Sequence, residues 1–352
     1  MLRRLAIGIV LLLTTFWAAT LYVSRPLFSE RLGDLPPLPV VADRSQALTL
    51  ARSTQGLLLV TGTEGGQVRA INLTTHFGPE ATRDTLEFFR GTGYDALQTL
   101  EGPEITVALD ELGLPLALRN AHLAAGTNYA EHADEVLLED PPFLFPKLAV
   151  ATPWNAPIPW TKRLDYEAEL AAIPLVTVTD PDDPPGYALI LANEVTDRLT
   201  LIRELDINEP MGTTGFAAGK GQAGFLPVGP WVVIPRRPEF YRDLELRLYV
   251  NGRLRQRFNT RDMILSVDDI VRQGFRDLST DYRKGPIRVT LIPDEGVPTG
   301  SLVLTGTSGG VMFKPLNIWW QPAYLQPGDV VRTEASYLGV LQNTALTNSN
   351  VD

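Results

Sequence analysis

The sequence predicts a β-rich α+β fold preceded by an apolar N-terminal helix, and three observations support it. Glycine and proline number 29 and 28 in 352 residues, roughly a sixth of the chain, a share that suits turns better than helical bundles. The apolar runs are short and end in turn signals such as Asn251-Gly252, the strongest short-range mark of a hairpin. Strand patterns do not alternate regularly with helical ones, which disfavours a doubly wound parallel sheet. At ~150 residues per domain the length suits about two domains.

Residues 5–23, LAIGIVLLLTTFWAATLYV, carry no charge, and Arg3 and Arg4 precede them. At ~1.5 Å rise per residue this run nearly covers a ~30 Å hydrocarbon core. The paired arginines predict a cytoplasmic N-terminus with the body of the protein on the extracytoplasmic side. A cleaved signal peptide is the alternative, and the length of the run favours an uncleaved membrane anchor over residues 1–24. Residues 25–44, with Pro26, Pro36, Pro37 and Pro39, read as a stalk.

A small β-rich domain is expected over 45–118. Leu57–Val60 and Val68–Leu73 read as strands around a turn at Gly62–Gly66, and Ile105–Leu109 as another. A helix should start at Thr82 as N-cap, with Leu86 and Phe89 on its apolar face. A larger domain is expected over 119–352. It includes the hairpin Leu244–Val250 and Arg253–Phe258, and a helix capped by Ser266. Further strands are expected at Ile287–Ile292, Leu302–Thr305 and Val330–Ala335.

Composition excludes several chemistries. There is no cysteine, so thiolate nucleophiles, disulfides and iron–sulfur clusters are out. A net charge of −10 repels phosphate backbones, so no nucleic-acid partner is expected. Gly306-Thr307-Ser308-Gly309-Gly310 matches G-x-S-x-G, but His76, His122 and His132 all precede Ser308. The hydrolase elbow needs its histidine last in chain order. Gly219-Lys220 lacks both the first glycine and the Ser/Thr of a P-loop.

The segment Arg163–Ala171 alternates. As one strand it places Leu164, Tyr166, Ala168 and Leu170 on one face and Asp165, Glu167 and Glu169 on the other. On a helix Glu167 and Glu169 would stand about 200° apart; on a strand they lie side by side. Such carboxylates repel unless a cation screens them, and an all-oxygen set suits Mg²⁺, Mn²⁺ or Ca²⁺. Glu194, just past the apolar strand Tyr187–Ala192, is a candidate third ligand. His132 and Glu135 are spaced to meet on one helical turn, where the carboxylate would orient an imidazole able to activate water. Solvated acidic faces are the plainer alternative for both segments.

Several segments together resemble the fumarylacetoacetate hydrolase family. Gly126–Glu135 resembles its G-x-N-Y-x-x-H-x-x-E, Phe143–Lys147 its L-F-x-K, Asp165–Ala171 its E-x-E-L-A and Asn193–Arg198 its N-D-x-x-x-R. Gly219-Lys220, Gly229-Pro230-Trp231, Asn251-Gly252 with Gln256, Asn259-Thr260 and Met263, Thr305-Gly306-Thr307, Pro327-Gly328-Asp329 and Leu338-Gly339 with Asn343 follow in family order across ~119–345. The resemblance implies a mixed β-roll with a small N-terminal domain, a homodimer, and a Mg²⁺ or Mn²⁺ site, with Ca²⁺ in some members. It implies Glu167, Glu169 and Glu194 as ligands, His132 and Glu135 as the water-activating pair, and Lys220 as a catalytic lysine. Arg198, Thr307, Tyr129 and Lys147 are implied at the substrate. Glu194 stands where the family usually has Asp. Leu201 stands where many members have Gln, and the chain between Glu194 and Lys220 is longer than usual.

The activity implied is metal-dependent hydrolysis of a C–C bond in a 1,3-dicarbonyl or 2-oxo acid, with the departing electrons held as an enolate at the cation. The small-molecule partner is an oxo acid. Isomerisation, hydration or decarboxylation of 2-oxo acids on the same residues is the alternative. A non-catalytic, membrane-tethered binding relative is another.

Overall fold

The computed structural model describes residues 2–137 and 142–347, and its centre is one ten-stranded sheet. The strand order is Glu104–Ala108, Gln67–Asn72, Gly56–Glu64, Ala47–Ser53, Trp231–Pro235, Tyr187–Asn193, Ala168–Pro174, Val303–Leu304, His122–Gly126 and Phe143–Lys147. The pairs are antiparallel except for Val303–Leu304 beside His122–Gly126. The segment expected as a small domain therefore extends the same sheet, through Ala47–Ser53 paired with Trp231–Pro235.

The central strands are apolar on both faces because both faces are covered. Leu170, Ala172, Leu189 and Leu191 face one core, shared with Leu246, Leu248, Val331 and Leu341 of a second sheet. That sheet runs in the order Arg253–Asn259, Glu245–Val250, Val330–Ala335, Gly339–Leu346, Ile158–Pro159. The alternate residues Ala171, Ile173, Ala188 and Ile190 face a second core, closed by helical residues such as Leu86, Phe89, Leu201 and Phe216. This is a mixed, β-rich α+β architecture.

Local chemistry explains the joins. Asn251 and Gly252 have φ of 50° and 74°, the double positive of a type I′ hairpin turn. Ser266 and Asp269 form a reciprocal capping box on the helix Val267–Arg276. Some boundaries differ from expectation. The helix Thr85–Thr92 is capped by Asp84, whose carboxylate accepts from Leu86 and Glu87 N–H groups, and not by Thr82. The strand Gly56–Glu64 runs through Gly62 on a register shift, so the turn is at Gly65-Gly66. The strand expected over Ile287–Ile292 is only Ile287–Val289.

The apolar run forms the helix Leu2–Val23, long and apolar enough by length and composition to cross a membrane. It is mostly exposed. Its C-terminal part rests on the body, where Trp17 meets Trp319 and Trp320 at centroid distances of 5.3 and 5.5 Å.

His122 is a structural histidine. Its Nδ1 accepts from the Leu302 N–H at 3.1 Å, so Nε2 carries the proton and donates to the Ala149 carbonyl at 3.1 Å. Burial lowers its pKa from 6.5 to about 4. The unfolded chain takes up that proton at higher pH than the folded one. The stability it contributes is thus complete above pH ~6.5 and is lost as pH falls towards ~4, a swing of about 3 kcal/mol. Urea titrations should show a shallower loss between pH 7.5 and 4.5 for His122→Gln than for the wild type. Equal pH slopes would remove this assignment.

Candidate active site

The site forms where the two central strands end. The antiparallel register sets Ala192 opposite Glu169 and Asn193 opposite Ala168. One residue further on, the Glu194 N–H donates to the Glu167 carbonyl at 2.8 Å. This register gathers Glu167, Glu169 and Glu194, all buried, with one oxygen of each within 4.8 Å of the others. The segment is not one continuous strand, as its alternation implies. It breaks into Leu164–Asp165 and Ala168–Pro174, because the Asp165 carboxylate accepts N–H donors from Tyr166, Met312 and Phe313, drawing the chain out of the ladder.

Buried cations bracket the acids. Lys220 Nζ bridges Glu167 and Glu194, 2.6 Å from the latter. Arg198 reaches Asp165 at 2.9 Å and Glu167 at 2.5 Å. Lys147 Nζ lies 3.7 Å from Glu194 and donates to the Val195 carbonyl at 3.2 Å. Burial opposes the charge of Glu167, but Lys220 and then Arg198 outweigh it and hold that carboxyl well below its usual range. Burial and then repulsion from Glu194 and Glu167 push Glu169 well above it. Burial likewise raises Glu194, and among the described residues none donates a hydrogen bond to its buried Oε1, which lies 3.7 Å from Lys147 Nζ. Among the described residues, the acids Asp165, Glu167, Glu169 and Glu194 meet the cations Arg198, Lys220 and Lys147 at this floor. A carboxylate oxygen without a hydrogen bond, mutual repulsion and an all-oxygen donor set fit a hard divalent cation held by Glu167, Glu169 and Glu194.

The three glutamates, His132, Arg198, Lys220 and Thr307 line one cavity of about 180 Å³. His132 sits on the helix Ala130–Val136 and is buried. Burial lowers its pKa to about 4, so the ring is neutral at pH 7, and among the described residues its Nδ1 has no hydrogen-bond partner. The expected orienting bond from Glu135 is not formed. The carboxylate lies 3.8 Å from Nδ1, drawn aside by the Gly310 N–H at 3.0 Å and by the ammonium of Lys314.

The other three expected substrate contacts are placed as follows. The Tyr129 ring packs edge-on against Phe258, and Lys147 stands behind Glu194; neither is among the residues lining the cavity. Thr307 lines it, but its hydroxyl donates to the Ala168 carbonyl at 2.8 Å and accepts from Gln256 at 2.9 Å. Arg198, locked to two carboxylates, positions Glu167. Sequence reasoning missed Asp165 as the hub joining Arg198 to the Met312-Phe313 backbone, although it shares the glutamates' alternation. It also missed the apolar wall around Phe143, Leu201 and Phe216, for which local sequence carries no distinguishing mark.

Known proteins resemble this chain in sequence and in fold. Residues 121–345 match the family model for the C-terminal domain of fumarylacetoacetate (FAA) hydrolase. A 2,4-didehydro-3-deoxy-L-rhamnonate hydrolase from Sphingomonas sp. (strain SKA58) is 29% identical over 273 residues, 74% of this chain and 83% of that protein. Fumarylacetoacetate hydrolase from psychrophilic Exiguobacterium antarcticum superposes with a TM-score of 0.59 at 26% identity, over 86% of this chain and 100% of that one. Maleylpyruvate hydrolase from Sphingobium sp. SYK-6, in complex with manganese(II) ion and pyruvate, shares the fold with a TM-score of 0.54 at 20% identity, over 85% of this chain and 99% of that one.

Proposed function

The chain belongs to the fumarylacetoacetate hydrolase family, and we propose that it is a divalent-cation-dependent hydrolase cleaving a C–C bond in a 1,3-dicarbonyl or 2-oxo acid. The observation that carries this reading is the meeting of three buried carboxylates and a buried neutral imidazole in one cavity. Glu167, Glu169 and Glu194 would hold Mg²⁺ or Mn²⁺, and the bound ion supplies Lewis acidity at the substrate's oxo oxygens.

His132 takes a proton from water, and Glu135 lies close enough to stabilise the resulting imidazolium. The hydroxide adds to the acyl carbon. As that adduct collapses the C–C bond breaks, and its electron pair remains on the 2-oxo acid fragment as an enolate. The enolate carbon takes back the proton from His132. One water is consumed, and a carboxylic acid and a 2-oxo acid leave. Burial disfavours a charged Lys220, but Glu167 and Glu194 outweigh it, so the lysine stays protonated and offers positive charge in the cavity.

Purified protein with Mn²⁺ should convert acetylpyruvate to equal amounts of acetate and pyruvate. EDTA should abolish this and added Mn²⁺ restore it. If no acylpyruvate is turned over, or if chelation changes nothing, the reading is wrong.

A further inference from the structure

We propose that the cavity selects oxo acids bearing an apolar acyl tail and rejects those that end in a second carboxylate. This rests on the function proposed above and narrows its substrate class. The cavity has two unlike kinds of lining. Besides its charged residues, it is lined by Phe143, Leu201, Ile202, Leu205, Met211 and Phe216. Phe216 packs edge-on against Phe143 and tilted against Phe145, each at 5.0 Å between ring centroids. A tail extending from the floor enters hydrocarbon.

Among the described residues that line the cavity, no cation is spare for a distal carboxylate. Among the described residues lining the cavity, the cationic side chains are Arg198 and Lys220. Both are bound to carboxylates of the floor. A second carboxylate against the apolar wall would lose its hydration without gaining a partner.

The wall is held in place. The helix Arg198–Glu204 packs on Phe216–Gly219 through glycines. A Cβ on Gly219 would lie 2.5 Å from Leu201 Cβ, and one on Gly215 would lie 2.5 Å from the Leu201 carbonyl oxygen. Backbones this close leave the wall little room to retreat and admit a polar group with its water. Ile202, 37% exposed, marks the mouth.

The test is a chain-length series on the Mn²⁺-loaded protein: acetyl-, butanoyl- and hexanoylpyruvate against succinylpyruvate. kcat/KM should rise about fourfold per added methylene, which is about 0.8 kcal/mol per CH₂. Hexanoylpyruvate should exceed succinylpyruvate by at least about 100-fold. Ile202→Arg, a change at the partly exposed mouth, should narrow that ratio at least tenfold. If acetylpyruvate is cleaved and succinylpyruvate is cleaved as well as hexanoylpyruvate, the inference is overturned while the proposed reaction stands. If nothing in the series is cleaved, the proposed reaction fails, and calorimetry decides the tail separately. Tighter binding of 2-oxooctanoate than of 2-oxoglutarate supports the apolar wall as a tail site, and the reverse order overturns it.

Discussion

Glu169→Gln is expected to weaken Mn²⁺ binding by more than about 100-fold and to remove turnover, while leaving the protein folded and no less stable. Loss of groups that only support ligands already changes metal affinity ~10–100-fold, and here a proposed ligand itself loses its charge. The stability result follows from the same electrostatics. Glu169 is buried beside two other carboxylates, and its carboxyl is pushed well above the ordinary range. A group whose folded pKa is raised in this way weakens the fold at neutral pH, so a neutral isostere relieves the strain. Glutamine retains an oxygen to accept the Gly306 N–H, which Glu169 holds at 3.0 Å. Calorimetric Mn²⁺ titration and a thermal melt of the metal-free protein check both halves. Unchanged affinity would remove Glu169 from the ligand set.

His132→Gln is expected to separate the water-activating group from the cation site. kcat should fall by ~10²–10⁴, the usual loss with a general base, while Mn²⁺ affinity stays close to that of the wild type. Glu135→Gln should cost less. The Glu135 carboxylate is already turned towards the Gly310 N–H and Lys314, and its distance from the His132 ring allows it to steady a charge without holding the ring by a hydrogen bond. Pre-steady-state pyruvate release and Mn²⁺ calorimetry on the two variants distinguish these roles. A His132→Gln enzyme with wild-type kcat would assign the base elsewhere.

Much of this site is legible in the sequence because strand alternation and helical spacing are local properties. The period-two pattern over Asp165, Glu167 and Glu169 identifies acids that share a side, and the position of Glu194 past an apolar strand brings it beside them once the two strands pair. Direction is less legible. Lys147 and Thr307 have the right residue types in the right order, but their polar atoms are taken up by Val195 and Glu194, and by Ala168 with Gln256. The strand break at Tyr166-Glu167 depends on Met312 and Phe313, whose N–H groups reach Asp165 from far along the chain. Among local features, Asp84 and Thr82 are both acceptable caps. Asp84 also accepts the Ala117 N–H at 3.0 Å, a tertiary bond that helps fix the helix start. The apolar wall is invisible for the same reason: Phe143, Leu201 and Phe216 meet only after the helices pack.

The account's centre is tested most directly by an anomalous difference map from a crystal soaked in Mn²⁺. One strong peak should lie between the carboxylates of Glu167, Glu169 and Glu194, with His132 across the same cavity. A map with no peak there, or with its principal peak away from these three side chains, would contradict the account.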